Sequence, residues 1–268
     1  MMTKHALFCT AIILLGFSTY GCKPVVNHFA FHPDTTNVLP TEKLPDDIKE
    51  ISIKSSDGVL NTSLYLPSPN SNKLLIYFHG NAGNIYRRIP DLRLMNRSGI
   101  NVLGVEYRGY GKNSGSPSEE GIYLDGEAAL KYAVENLGIS EDDIILFGRS
   151  IGTAVAINSA QHKKLRGIIL VSPLTNANAE AKAAGMGSIA SLAGDAFDNL
   201  SKIDGIEAPL LVIHGTSDNV IPYSMGVEIF NRAKVKKYFV RINGAGHNNL
   251  QNEFGRQYWP PIISFIKS

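Results

Sequence analysis

Ser150, Asp218 and His247 occur in that order along a chain of 268 residues, each in a short glycine- or turn-rich stretch. Ser150 stands in Gly148-Arg149-Ser150-Ile151-Gly152, after the branched run Ile144–Phe147 and before the small, helix-compatible residues Thr153–Gln161. A serine displayed on a sharp strand-to-helix turn needs glycine two positions before and after it, because no Cβ fits there. The five residues alone could equally be a softened turn in a chain holding 25 glycines. A buried strand in front and a helix behind make Ser150 a candidate nucleophile.

A serine hydroxyl attacks a carbonyl only when a base takes its proton and a third group fixes the tautomer of that base. Of the seven histidines, His5, His28, His32 and His162 fall in a leader, a tether and a helix end. His79 and His214 each close an apolar run just before glycine, where a buried ring bonded to the backbone is the expected role. His247 lies in "NGAGHNNL", Asn243–Leu250, a glycine-rich loop able to bring a base over the site. Asp218 follows the run Leu210–Ile213 within "VIHGTSDNVIP", and in isolation it reads as a turn aspartate. Serine, acid and histidine in this order, each on a loop after its own strand, form one of the arrangements that build a hydrolytic triad. Acyl transfer also needs donors for the developing oxyanion. The Ile151 N–H at a helix start is one, and the Asn81 N–H in "FHGNAGN", Phe78–Asn84, is the other, with Ala82 competing for the second role. A phosphate-binding reading of that glycine loop lacks the following Gly-Lys-Ser/Thr.

These groups require a scaffold that gathers strand ends on one edge. Ile48–Lys54 alternates apolar and polar, Asp57-Gly58 signals a hairpin, and Val59–Leu66 returns as its partner. Apolar strand candidates follow at Leu74–Phe78, Ile100–Glu106, Asp143–Phe147, Leu165–Val171, Leu210–Ile213 and Tyr238–Ile242, most of them separated by helical patterns. One helix is expected to start with Ser116 as cap, Pro117 in the first turn and Glu119 completing a capping box. It should run through Ile122–Leu137 to Gly138. Strands alternating with helices predict a single α/β domain: a mostly parallel sheet covered on both faces, with an antiparallel N-terminal edge and ligands beyond the carboxyl ends of the strands. Between Thr175 and Asp204 the chain holds small residues, with Met186, Ile189 and Leu192 the larger apolar ones. A short cap of that kind offers little wall for a long alkyl chain, which favours short or medium acyl groups.

A formal charge of +2 with no dense Lys/Arg block excludes a nucleic-acid surface. At the N-terminus, Lys4 and His5 precede the apolar run Ala6–Phe17, too short to span a bilayer comfortably. The two cysteines are Cys9, inside that run, and Cys22, at its border, so the domain proper has no internal disulfide. The segment resembles a bacterial lipoprotein signal with Cys22 as the acylated residue, departing from it at Thr19, where leucine is usual. Ordinary cleavage after Gly21 and an uncleaved anchor are the alternatives. Residues 1–22 then form the leader, 23–46 a tether and 47–268 the catalytic domain, with the protein exported and held at a membrane, or otherwise periplasmic or secreted.

"FHGNAGN", "EYRGYGKNSGSPSEEG", "LFGRSIGTAVA", "VSPLT", "PLLVIHGTSDNVIP" and "GAGHNNL", taken together, resemble the bud-emergence-type branch of the α/β-hydrolase superfamily, which includes protein depalmitoylases. The resemblance runs from about Ile48 to the C-terminus and is weakest between Thr175 and Asp204. It implies the α/β-hydrolase fold and hydrolysis of an ester or thioester in a small-molecule or acylated substrate. Ser150 is then the nucleophile, Asp218 the acid and His247 the base, and no metal or organic cofactor is implied. The depalmitoylases carry a cysteine-rich N-terminus where this chain has Cys22 alone, so their substrate does not carry over. An aminopeptidase or other amide hydrolase on the same triad is the second reading, and a non-catalytic surface binding protein the third. Tyr107, in the second of these motifs, is expected to pack or to line the pocket wall.

Overall fold

Five strands of this chain are buried at every position, which is possible only in a sheet covered on both faces. The computed structural model describes residues 23–35 and 44–268. Its strands are β1 His32–Pro33, β2 Lys49–Lys54, β3 Leu60–Leu66, β4 Leu74–Phe78, β5 Ala82–Gly83, β6 Asn101–Val105, β7 Ile144–Arg149, β8 Gly167–Val171, β9 Leu210–Gly215 and β10 Lys237–Ile242. Its helices are α1 Lys23–Ala30, α2 Ile89–Asn96, α3 Glu119–Glu135, α4 Gly152–Ser159, α5 Ala177–Ala183, α6 Asn199–Lys202, α7 Tyr223–Arg232 and α8 Gly255–Lys267.

Eight strands form one sheet in the order β10-β9-β8-β7-β4-β6-β3-β2. β2 and β3 pair antiparallel, as do β3 and β6, and every other pairing is parallel. The antiparallel N-terminal edge is therefore where the Asp57-Gly58 signal puts it, with Gly58 at φ 90. Period-two alternation divides the strands between two cores. Leu74, Ile76 and Phe78 belong to the core on the side of α3 and α4, while Leu75 and Tyr77 belong to the one on the side of α2 and α8. β7 is flanked on both sides by buried strands, so the residue that follows it emerges over the middle of the sheet.

The start of α3 differs from its expectation. Ser118, not Ser116, is the N-cap: its hydroxyl accepts from Gly121 N at 3.1 Å and its carbonyl from Ile122 N at 2.9 Å. Pro117 is held outside the helix against Gly109, where an added Cβ would lie 2.7 Å from the proline Cδ. Glu119 closes no capping box; its carboxylate accepts from the Tyr123 hydroxyl and from Phe197 N. At the other end α3 stops at Glu135, and Gly138 takes φ 68 while Ile139 N bonds back to Ala133 O. Residues 23–35, within the stretch read as a tether, include α1 and β1, and β1 pairs in parallel with β5. Cys22 and the rest of the leader lie outside the described residues. Among the described residues no helix is long and apolar enough to cross a membrane.

Packing of α3 on α4 depends on Gly126, where a Cβ would meet Val155 Cγ1 at 2.4 Å and Ser159 Oγ at 2.8 Å. Two effects oppose each other in Gly126→Ala. Helix propensity favours alanine by about 1 kcal/mol, whereas overpacking costs about 1–3 kcal/mol, and contact at 2.4 Å places the cost at the upper end. Gly126→Ala is expected to lower the urea midpoint of unfolding; an unchanged or raised midpoint would show that α4 gives way freely.

Candidate active site

β7 delivers Ser150 into a backbone conformation that only a tight turn imposes, φ 56 for a non-glycine residue. The flanking glycines explain why. A Cβ on Gly148 would lie 2.4 Å from the Gly152 carbonyl oxygen, and one on Gly152 would lie 2.3 Å from the Phe78 carbonyl oxygen. Ser150 N donates to Val171 O at 2.9 Å, and the Thr153 hydroxyl donates to Ser150 O at 2.6 Å, which pins the turn to β8 and to α4. The Ser150 hydroxyl bonds to no described residue, in keeping with resting sites whose catalytic contacts tighten only with substrate.

The acid and base loops leave the neighbouring strands β9 and β10 and are fastened to each other. A Cβ on Gly215 would strike the Ala245 carbonyl oxygen at 2.3 Å, and Ser217 N donates to that oxygen at 2.9 Å. His247 Nδ1 lies 2.8 Å from Asp218 Oδ2. The carboxylate thus selects the tautomer with its proton on Nδ1 and leaves Nε2 as the base. Asp218 Oδ1 accepts from Val220 N at 3.0 Å and Ile221 N at 2.8 Å. Burial opposes ionisation of Asp218, but hydrogen bonds from His214, His247 and the Ile221 N–H together hold its carboxyl well below the usual range. Arg149 Nη2 donates to the His247 carbonyl oxygen at 2.8 Å, tying the residue before the nucleophile to the base loop.

Ser172 completes the acid's shell and was given no role from the sequence. Its hydroxyl donates to Asp218 Oδ2 at 2.8 Å, the same oxygen that His247 contacts. It follows β8 as Ser150 follows β7, it is buried, and its φ is 48. Its position inside "VSPLT", at a strand end beside the nucleophile's strand, was the available signal. His79 and His214 are buried and bonded to backbone carbonyls as expected, and His214 Nε2 also lies 3.4 Å from Asp218 Oδ2. His79 contacts Gly80 O at 2.7 Å and Glu106 Oε1 at 2.8 Å, and His214 Nε2 contacts Ile221 O at 3.0 Å.

The loop after β4 is held from several directions. Asn81 O accepts from His32 N at 3.0 Å and from the Tyr110 hydroxyl at 2.7 Å, and the Tyr107 hydroxyl donates to His79 O at 3.1 Å. Tyr107 is buried against His79 and does not line the cavity. Neither the Asn81 nor the Ile151 backbone N–H bonds to another described residue. Asn81, Ser150 and Ile151 share a cavity of about 200 Å³ whose other walls come from α1, α5 and the turn Gly187–Ala193. Ala82 is exposed and outside that lining. Glu180 of α5 also faces the cavity; burial, with the Asp218 charge added to it, pushes its carboxyl up to about 7.

The family described as serine aminopeptidase, S33, matches residues 69–203, a span that contains Ser150 and both oxyanion candidates. The α/β hydrolase domain-containing protein 17B of Homo sapiens is 35% identical over 200 residues, covering 74% of this chain and 68% of that protein. The chain belongs to the α/β-hydrolase family. The α/β hydrolase domain-containing protein aho-3 of Caenorhabditis elegans is also 35% identical, over 201 residues, and the match spans only 59% of that protein's length. An esterase from Pyrococcus furiosus has the same fold, with a TM-score of 0.72 at 20% identity over 89% of this chain and 97% of its own. The superfamily that the motifs resemble is thus the one to which the chain belongs.

Two measurements follow from the shell around Asp218. Ser172→Ala removes one hydrogen bond to the carboxylate while leaving the cavity intact, so kcat is expected to fall about tenfold with little change in KM; an unchanged kcat would make Ser172 a packing residue. The second is pH dependence. Because the folded-state pKa of Asp218 is depressed, its stabilisation is complete above the unfolded value of about 4 and is lost as pH falls through and below it. Urea unfolding at pH 6 and pH 3 should show a smaller loss on acidification in Asp218→Asn than in the wild type; equal losses would mean that this carboxyl is not the group held down.

Proposed function

We propose that the protein is a serine hydrolase that cleaves carboxylic esters or thioesters through an acyl-enzyme on Ser150. The observation that carries this reading is the Asp218–His247 contact of 2.8 Å on loops tied through Arg149 to the turn that holds Ser150 at φ 56. His247 Nε2 takes the Ser150 proton as the hydroxyl oxygen attacks the carbonyl carbon, and the imidazolium so formed stays paired with Asp218. Charge moving onto the carbonyl oxygen is met by the Ile151 and Asn81 N–H groups, the first of them at the positive end of α4. Collapse expels the alcohol or thiol, which takes the proton from His247. Water activated by the same ring then releases the acid.

The cavity of about 200 Å³ falls below the roughly 300–1,000 Å³ usual for small-molecule sites, which supports a short or medium acyl group over a long alkyl chain. Amide cleavage is the second reading, favoured by the description of the matching family as a serine aminopeptidase. Export and membrane tethering through Cys22 belong to the proposal as well, on the strength of the charged start, the apolar run Ala6–Phe17 and the cysteine that follows it. The intact mass of the mature N-terminus decides between acylated Cys22, simple cleavage and a retained leader.

A fluorophosphonate probe is expected to label the wild-type chain at Ser150 and not Ser150→Ala. In a panel of p-nitrophenyl esters, acyl thioesters and aminoacyl amides, Asp218→Asn should lose on the order of 10⁴-fold in kcat. An unlabelled, inactive wild type would favour a binding protein that keeps the hydrolase shape. A kcat/KM that climbs steadily to the longest acyl chains would replace the short-chain reading with a lipid groove.

A further inference from the structure

Ala177, Glu180, Ala181 and Ala184 recur at i, i+3, i+4 and i+7 along α5 and its cap, and all four line the cavity that holds Ser150 and Ile151. Three of the four are alanine. A fourth alanine would cover the cavity and suit the helix at least as well, so the glutamate needs another reason. Among the residues lining the cavity Glu180 is the sole ionisable one. Its carboxylate has no hydrogen-bond or ion-pair partner among the described residues, and Lys182 on the same helix lies outside the cavity. The one charge that acts on it appreciably is Asp218, which repels it.

A carboxyl without a cation in a mostly apolar pocket holds its proton more tightly, its pKa pushed up to about 7 here, and a cation brought by a ligand favours the ionised form and gains a charge-assisted hydrogen bond. A neutral acyl group leaves the carboxylate as it was. We propose that Glu180 recognises a protonated amine on the acyl part of the substrate, so that the enzyme prefers acyl groups bearing a compact cation to their neutral isosteres. This rests on Ser150 acting as the nucleophile and names the substrate class of that same site. The cavity volume fits such a group, since a short acyl chain ending in an ammonium needs no alkyl groove.

The p-nitrophenyl esters of 3-aminopropanoate and butanoate differ by an ammonium in place of a methyl. With the full chain, kcat/KM is expected to favour the amine by about tenfold or more, and Glu180→Gln to cut that preference by about tenfold. Fluorophosphonate labelling of Ser150 in the same variant shows that the site is still assembled. A preference unchanged by Glu180→Gln overturns the proposal. So does an equal loss on both esters, which would place Glu180's effect on the triad rather than on the substrate. Calorimetry with n-propylammonium separates this inference from the hydrolase reading: Ser150→Ala should bind it, and Ser150→Ala with Glu180→Gln should not. Binding without any hydrolysis by the wild type would remove only the nucleophile's role, whereas butanoate hydrolysis with no ammonium binding would remove only the role of Glu180.

Discussion

Gly152 sits so close to β4 that a single added carbon would come within 2.3 Å of the Phe78 carbonyl and 2.6 Å of the His79 carbonyl. Because α4 begins there, this approach fixes the start of the helix against the end of the neighbouring strand, and with it the span between the Ile151 N–H and the loop that carries Asn81. Under the proposed acyl transfer, oxyanion stabilisation depends on that span, since donors act only at hydrogen-bond distance from a charge not yet formed. The same closeness leaves Ser150 no route out of β7 except the left-handed conformation it adopts. Strain at Ser150 is thus a consequence of bringing two backbones together, and glycine at 148 and 152 is the means.

A second close approach does for Asp218 and His247 what the first does for Ser150. Gly215 against Ala245 joins the ends of β9 and β10 and holds the Asp218 and His247 loops together. Ser172 reaches Asp218 from β8, and Arg149 reaches the His247 backbone from β7. Four adjacent strands therefore each contribute to one hydrogen-bonded assembly at their carboxyl ends. The depressed pKa of Asp218 comes from His214, His247 and the Ile221 N–H acting together against the cost of burial, and it keeps the carboxylate charged beside the His247 ring.

Much of this was legible in the sequence because it depends on local pattern. Continuous apolar runs of strand length mark buried strands, and glycines flanking Ser150 mark an elbow whether or not the partner backbone is known. Chain order placed Asp218 and His247. What the sequence did not yield depends on contacts between distant residues. Ser172 lies 46 positions from the carboxylate it contacts, and its place inside "VSPLT" at a strand end marks a turn without naming that partner. Ser116 and Ser118 are equally good caps locally, and the choice was made by Pro117 packing on Gly109. Glu180 has no local mark in the sequence, and only the helix face it shares with Ala177, Ala181 and Ala184 sets it in the cavity with Ser150.

The least legible segment was the one read as a tether. Residues 23–35 have little periodicity, yet His32 N bonds Asn81 O, Asp34 N bonds Gly83 O at 3.1 Å, and Val26, Phe29 and Ala30 line the cavity. Low local pattern and high tertiary importance coexist here because the segment borrows its hydrogen bonds from an exposed loop edge instead of from a partner of its own. Under the proposed anchoring at Cys22, the attachment point immediately precedes α1, so the wall of the cavity would lie within one short helix of the membrane. An anchor placed there would do more than confine the enzyme: the helix it holds also covers the pocket, and the strand that follows helps to hold the oxyanion loop.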